Sequence, residues 1–580
     1  MAEYDLVVRG GTVADGTGAT LRTADVAVRD GRIVEVGRVS GTGTREVDAD
    51  GALVAPGWVD VHTHYDGQAV WDRQLAPSSC QGVTSVVFGN CGVGFAPVRP
   101  DQHDVLVRLM EGVEDIPGAA LHEGLSWEWE SFPEYLDALE RIPHDIDLAA
   151  QVPHCALRVY VMGERAVAGA QATARDIERM ADLARQGIEA GALGFSTSRT
   201  INHRSSDGSH TPTLTATAAE LAGIGRGLRR AGAGVVQLVS DFADLDLEWP
   251  VVMAIAEASG RPVSMTVAET TSLTQSGDVN SGFDVLERIT AARAAGLVVS
   301  AQVAPRAVGL IMGLSTTLSP FMTCPPWREL ADLPLAEKVA ALRSGPVRER
   351  LLAAYSARVN GGRLAGSIIS ALHRMVQLDD PPDYEPPESA TIAAIAARDG
   401  RPAHEMALDV MLSDAGRGLL YLPAVNYSQW NLDNVRRMLT HPYAVPGLSD
   451  GGAHVGTICD GGFPTYLLSH WGHRRPEGRL PVEFLVERHT RATARLVELH
   501  DRGVLAAGYR ADLNVIDLDN LQLRRPEIHW DLPTGGRRFL QRADGYRHTF
   551  VAGTETYRDG EPTGATPGTL IRGAQPPPAV

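Results

Sequence analysis

Two histidines, His62 and His64, stand one residue apart at the end of an apolar run, in APGWVDVHTH. In an extended strand residues i and i+2 point to the same side, so both imidazoles converge on one point. Asp450 lies in GLSDGGAH, at the end of a second apolar run, where the following glycines let the backbone approach a ligand closely. Two imidazoles and a carboxylate make three N/O donors with a fourth place left for water. That set suits one divalent ion in a catalytic role, zinc first among the candidates. Asp450 would then also serve as general base, taking a proton from the water. Taken singly, H-x-H also fits two surface histidines and the aspartate a turn cap. The two together at strand ends favour the metal.

The elements that must position them follow from the pattern. Short alternating stretches, YDLVVRGGTV, ADVAVRDGRIVEVG and TREVDADGALVAPG, read as β-hairpins, and ADLNVIDLD and HTFVAGTETYRDGEPTG repeat the style near the other end. The two ends are expected to meet in one discontinuous β-sandwich of residues 1–57 and 506–570. Between them, apolar strands are predicted at 53–64, 83–91, 147–154, 192–198, 234–240, 262–269, 296–304 and 443–452, with helical periodicity in between. Eight such strands predict an α/β fold, a (β/α)8 TIM-like barrel over 58–505. Residues 305–440 are too long for one loop and read as a helical insertion before strand 8, in which GLLYLPAVNYS suggests an extra strand. In a closed barrel strand 8 adjoins strand 1, which brings Asp450 to His62 and His64. The Pro-rich end, 571–580, is expected to be disordered.

Composition narrows the partners. With 71 acidic against 53 basic residues the formal charge is −18. Nucleic acid and anionic membrane surfaces are therefore poor partners, and a small-molecule substrate is expected, with self-association left open. The five cysteines show no C-x-x-C pair, no run approaches the length of a membrane span, and MAEYDLVVRGG shows no leader pattern, so a cytoplasmic location is expected. Only one residue in the chain is lysine, Lys338, within the helical pattern LAEKVAALR.

The order of a β-sandwich, APGWVDVHTH, eight strands, LSDGG and RGVLAAGYRADLNVIDLD resembles the amidohydrolase superfamily over nearly the whole chain. GVTSVVFGNCGVGFAP, PHCALRVYVMG and GALGFSTS resemble its D-aminoacylase (N-acyl-D-amino-acid deacylase) branch. The resemblance implies metal binding by His62 and His64, a further ligand in Cys91 of GNCG, and Asp450 as general base. It departs at strands 5 and 6, which end VVQLVSDF and PVSMTVAE where that family has T-H-x-R and S-H-x-K types. No histidine occurs between His210 and His373, so the family's co-ligands for Cys91 are missing. A buried thiol at a strand end is also an ordinary core residue. The position of Lys338 excludes a carboxylated-lysine bridge on strand 4. One metal position is the expectation.

Other side chains are candidates for the same mouth. His154, ending strand 3, would polarise a carbonyl or orient a ligand, and Asn90 would donate a hydrogen bond. The loop STSRTINHRSSDGSHTPT carries Arg199, His203, Arg204, Asp207 and His210, which offer a replacement ligand or an anchor for a substrate carboxylate. The bland alternative is a solvated polar loop. His454 is an alternative ligand or a partner to one, Glu269 a replacement carboxylate, and Arg306 and Trp327 pocket residues, whereas His470 and His473 are expected to pair on the surface. The reading favoured is a metal-dependent hydrolase of an N-acyl amino acid or related small amide. Lyase, decarboxylase or cyclic-amide-opening chemistry on the same scaffold is the alternative, and a non-catalytic homologue comes third.

Overall fold

The computed structural model describes residues 2–270, 282–343, 345–360 and 368–579. Eight parallel strands, paired in sequence order, carry the site: β1 Trp58–Asp60, β2 Val83–Phe88, β3 Asp147–Pro153, β4 Gly194–Arg199, β5 Val235–Ser240, β6 Val263–Thr266, β7 Val299–Val303 and β8 Ala444–Pro446. Every residue of β2 and of β3 is buried, as both faces of such a strand must be when side chains fill the inside and helices cover the outside. The ring closes just beyond the strands: Asp450 N donates to His62 O at 3.1 Å and His64 N to Gly451 O at 2.8 Å. These two bonds lock the loop after β8 to the residues that follow β1.

The helices form for legible reasons. Helix α1, His103–Glu114, buries Leu106, Val107, Leu109, Met110 and Val113 and ends in Asp115, whose φ of 52° turns the chain. In α2, Ala174–Glu189, the Thr173 hydroxyl accepts from Asp176 N, and Met180, Ala184 and Ile188 repeat at four-residue spacing toward the core. Helix α3, Ala218–Ala231, is capped by Thr217 and stops at Gly232, whose φ is 69°.

The first predicted strand, 53–64, is divided between two sheets. Leu53–Pro56 pairs with Thr12–Val13 and Leu513–Ile516, whereas Trp58–Asp60 pairs with β2. The division falls at Gly57, where a Cβ would lie within 2.2–2.7 Å of the Thr84 side chain. The predicted strand 443–452 is also shorter, because its second half leaves β8 to close the ring. Segments from both ends of the chain share one nine-stranded sheet.

Residues 305–440 are not purely helical. Val308–Met312, Leu419–Val425 and Val376–Leu378 form a three-stranded antiparallel sheet with GLLYLPAV at its centre, packed with helices such as Ala403–Gly416. Residues 344 and 361–367 of this insertion lie outside the described residues. A hairpin without a sequence signal, Glu527–Leu532 with Gly536–Leu540, reaches from the sheet of the chain ends to the barrel mouth, where Phe539 N donates to Val455 O at 2.7 Å. The tail is not loose: Ile571 is buried and its N donates to Leu148 O at 2.8 Å. Among the described residues no helix is long and apolar enough to cross a membrane.

Candidate metal centre

His62 and His64 project from the end of β1 with their Nε2 atoms turned toward one acceptor. The Oδ1 of Asp450 lies 3.5 Å from His62 Nε2 and 3.7 Å from His64 Nε2. Cys91, three residues past β2, brings Sγ to 3.3 Å from His62 Nε2. Its register is held by its own N–H, which donates to Gln237 Oε1 of β5 at 2.8 Å. Cys91, Asp450 and His454 all have positive φ, 55°, 47° and 49°. A cysteine or histidine pays for such a backbone only where its surroundings fix it, and functional sites are where this recurs.

Each histidine directs its other nitrogen at a protein group. His62 Nδ1 donates to Gln302 Oε1 of β7 at 2.6 Å, and the Gln302 amide in turn donates to Ser264 Oγ of β6 at 3.0 Å. That bond fixes the tautomer that leaves the Nε2 lone pair free. His64 Nδ1 stands 3.3 Å from Oε1 of Glu114, the last residue of α1. His62, His64 and Cys91 place their donor atoms within 4.8 Å of one another. Ligands about 2.0–2.3 Å from a tetrahedral ion stand roughly 3.3–3.7 Å apart, so these spacings fit a divalent metal.

The charge balance fits as well. Asp60, Asp66, Glu114 and Asp450 cluster here; the first three are almost fully buried. Burial pushes the carboxyls of Asp60 and Asp66 up to about 7. Burial opposes the ionised form of Asp450 too, but the His64 hydrogen bond and the charges of His62 and His64 hold its carboxyl well below the usual range. His62 is pushed by burial down to about 4. In His64 burial is outweighed by Glu114 and Asp450, which hold it well above an ordinary histidine. Burial pushes the Cys91 thiol up to about 12, against the pull of His64. Both oxygens of Glu114 and the Nδ1 of His64 lack a hydrogen-bond partner, an arrangement that a bound cation would make favourable.

His203 and His454 come to the same place. His203 accepts or donates at Ser198 Oγ, 2.9 Å away, and burial beside His454 and His64 pushes it down to about 3. His454 puts Nε2 3.5 Å from Glu114 Oε2. A cavity of about 20 Å³, the size of one water, lies against Asp450 between Gln68, Asp460 and Phe539. A cavity of about 590 Å³ lies away from these histidines, between Leu314, Asp414, Arg525 and Trp530.

Other expected site residues are engaged elsewhere. Both ring nitrogens of His154 are occupied, by Thr197 Oγ1 at 2.8 Å and Glu220 Oε1 at 3.0 Å, and Glu220 pairs with Arg158, so His154 belongs to a buried network behind the mouth. The Asn90 amide donates to Thr63 O and Val87 O and accepts from Gln151, which braces the loop before Cys91. Arg199 is paired with Glu248 at 2.8 Å, and exposed Arg204 donates to Gly208 O of its own loop. Glu269 accepts from Ser428 and Asn434 and so fastens the insertion. Arg306 is buried against Asp460, Trp327 packs near Phe321, and His470 and His473 face Glu385 and Asp519. Glu114, Gln237 and Gln302 had no sequence signal. Each is an ordinary residue type in an ordinary helix or strand pattern, and its partner is distant in the chain.

Comparison with known proteins places the chain in a family. The amidohydrolase family model matches residues 45–560. N-acyl-D-glutamate deacylase of Alcaligenes xylosoxydans xylosoxydans is 30% identical over 575 residues, 98% of this chain and 97% of that protein. D-aminoacylase of the same organism is 39% identical over a shorter match of 195 residues, 33% of this chain and 37% of its own. A solved D-aminoacylase, described as having a binuclear metal centre with one-metal activation and second-metal attenuation, superposes with a TM-score of 0.65 at 25% identity, over 98% of this chain and 100% of that one.

Proposed function

Since the chain belongs to the amidohydrolase family, in its D-aminoacylase branch and thus among enzymes acting on non-peptide C–N bonds, we propose that it deacylates an N-acyl amino acid with the help of one divalent ion. The observation that carries this is the convergence of His62 Nε2, His64 Nε2 and Cys91 Sγ beside the Asp450 carboxylate. His62, His64 and Cys91 would hold the ion, and the mixed N and S donors favour zinc. Such an ion supplies a Lewis acid for the amide carbonyl and makes water more acidic.

The chain's own groups do the rest. Asp450 is held ionised against its burial chiefly by the His64 hydrogen bond, so it can accept a proton from water as the oxygen attacks the acyl carbon. The protonated carboxyl then gives that proton to the leaving nitrogen as the C–N bond breaks, leaving a carboxylic acid and an amine. Gln302 keeps His62 in one tautomer throughout. The loss of histidine from β5 and β6, where Gln237 and Ser264 brace other groups instead, supports one ion per chain.

A panel of N-acyl D- and L-amino acids, assayed in ¹⁸O-water with zinc-loaded protein, tests the reading. Label in the released carboxylate and loss of turnover in Asp450→Asn with metal retained are expected. Turnover without label would refute hydrolysis, and two stoichiometric ions by metal analysis would refute the single-ion centre.

A further inference from the structure

Glu114 is only 1% exposed, yet neither of its oxygens has a hydrogen-bond partner. A carboxylate is left in that position only at considerable cost unless it serves positive charge nearby. Two imidazoles flank it: His64 Nδ1 lies 3.3 Å from Oε1, and His454 Nε2 lies 3.5 Å from Oε2. Its backbone is tied to the same loop, since His454 N donates to Glu114 O. Gly112, two residues back, packs so closely on the 204–206 backbone that a Cβ there would lie 2.3 Å from it, and Ser206 N donates to Arg108 O at 3.0 Å. The end of α1 is therefore wedged between the loop after β4 and the loop after β8, with its last side chain aimed at His64.

The two metal-facing histidines are held in parallel ways. His62 is fixed through Nδ1 by a neutral acceptor, Gln302, and His64 faces an anionic one. An Nδ1–H directed at a carboxylate makes the opposite nitrogen a stronger electron-pair donor and fixes the plane of the ring. We propose that Glu114 is a positioning residue of the metal centre: it holds His64 with Nδ1 protonated and Nε2 directed at the ion, and through Oε2 it ties His454 to the same unit. The inference rests on the metal-dependent reading above. It adds a residue that no motif marks and that acts on the metal only through His64.

The test is zinc affinity, measured by competition with a chromophoric chelator on the full chain, for wild type, Glu114→Gln, Glu114→Asp, His64→Ala and the double variant Glu114→Gln/His64→Ala. Thermal unfolding of each metal-free protein is recorded alongside. Glu114→Gln is expected to bind zinc roughly 10–100-fold more weakly, the range for removing such an outer partner. Glu114→Asp, which keeps the charge but withdraws it by one methylene, should fall between. In the His64→Ala background the glutamine should cost no further affinity, which a merely structural role would not produce. Unchanged affinity in Glu114→Gln, or an equal loss with and without His64, overturns the proposal. If Glu114→Gln does not fold, wild-type affinity in Glu114→Asp overturns it instead. A wild-type protein that binds no zinc refutes the metal centre itself, and this inference with it.

Discussion

Cys91 shows how much a single residue's chemistry depends on what occupies the centre. Its thiol is pushed to about 12 by burial, so at neutral pH it keeps its proton until a cation displaces it. His64, held protonated beside Glu114 and Asp450, must also give up a proton before its Nε2 can coordinate. Zinc binding should therefore release protons, and Cys91→Ser should lower the number by about one. Calorimetric titration in buffers of different ionisation enthalpy counts them, and an unchanged count in the serine variant would remove Cys91 from the ligand set. A second buried histidine works in the opposite sense. His489 packs against Trp58, both its nitrogens lack partners, and burial pushes it down to about 3. In the unfolded chain it takes up a proton near pH 6.5, whereas in the fold it stays neutral to about pH 3. The unfolded state thus binds more protons between these values, and stability falls as pH drops through that window, by at most about 1.4 kcal/mol per pH unit from this residue. His489→Leu should flatten the decline in unfolding midpoint between pH 6.5 and 4 while leaving stability at pH 7 unchanged or higher. A slope equal to wild type would show that the site is solvated.

At the level of elements, the loop that carries Asp450 is held by a buried ion pair. Arg306, just past β7, lies 2.9 Å from Asp460 and donates to Cys459 O, with its guanidinium carbon 3.7 Å above the Tyr384 ring from the insertion. Replacing it by methionine keeps the bulk but leaves Asp460 buried without its cation, which should cost about 3–5 kcal/mol. Chemical unfolding of Arg306→Met against wild type measures this, and a loss under about 1 kcal/mol would mean that water reaches Asp460. This clamp also shows which parts of the fold could be read in advance. Apolar runs ending in HTH, NCG and LSDGG announced their strands because a barrel strand is buried on both faces and its C-terminal end faces the mouth. The split at Gly57 was hidden, since both sheets demand the same apolar strand pattern and only the approach of Thr84 separates them. His154 shows a related limit. Strand-end position put it near the mouth, but Glu220, 66 residues on, takes up its Nε2. Glu114 was invisible because a glutamate ending a helix is normally a solvated residue, and its partners lie 50 and 340 positions away.

The whole molecule is fastened at the barrel end opposite His62 and His64. Asp147, fully buried at the start of β3, accepts from Arg502 at 2.7 Å and from Thr569 N at 2.8 Å and lies 2.8 Å from the Arg510 guanidinium, so one carboxylate ties the barrel to the sheet of the chain ends. The tail then continues along the barrel floor. Leu148 N donates to Thr569 O, Ile571 N to Leu148 O, Gly573 N to Gly191 O and His500 N to Gln575 O, while Arg572 pairs with Asp137 and Glu140 at 2.7 Å each. A Pro-rich composition predicts disorder only for a segment that buries nothing, and Ile571 alone removes enough apolar surface to contribute about 2 kcal/mol. Asp147 would also lose the Thr569 donor while keeping those of Arg502 and Arg510, a further loss of about 0.5–1.5 kcal/mol. Truncation after Pro567 should therefore lower the thermal unfolding midpoint clearly. Zinc affinity of the protein that remains folded should not change, because the tail touches the starts of the strands and the histidines stand beyond their ends. A truncated protein as stable as the full chain would show that the tail rests on the floor without holding it, and a loss of zinc affinity without a loss of stability would mean that the two ends of the barrel are coupled.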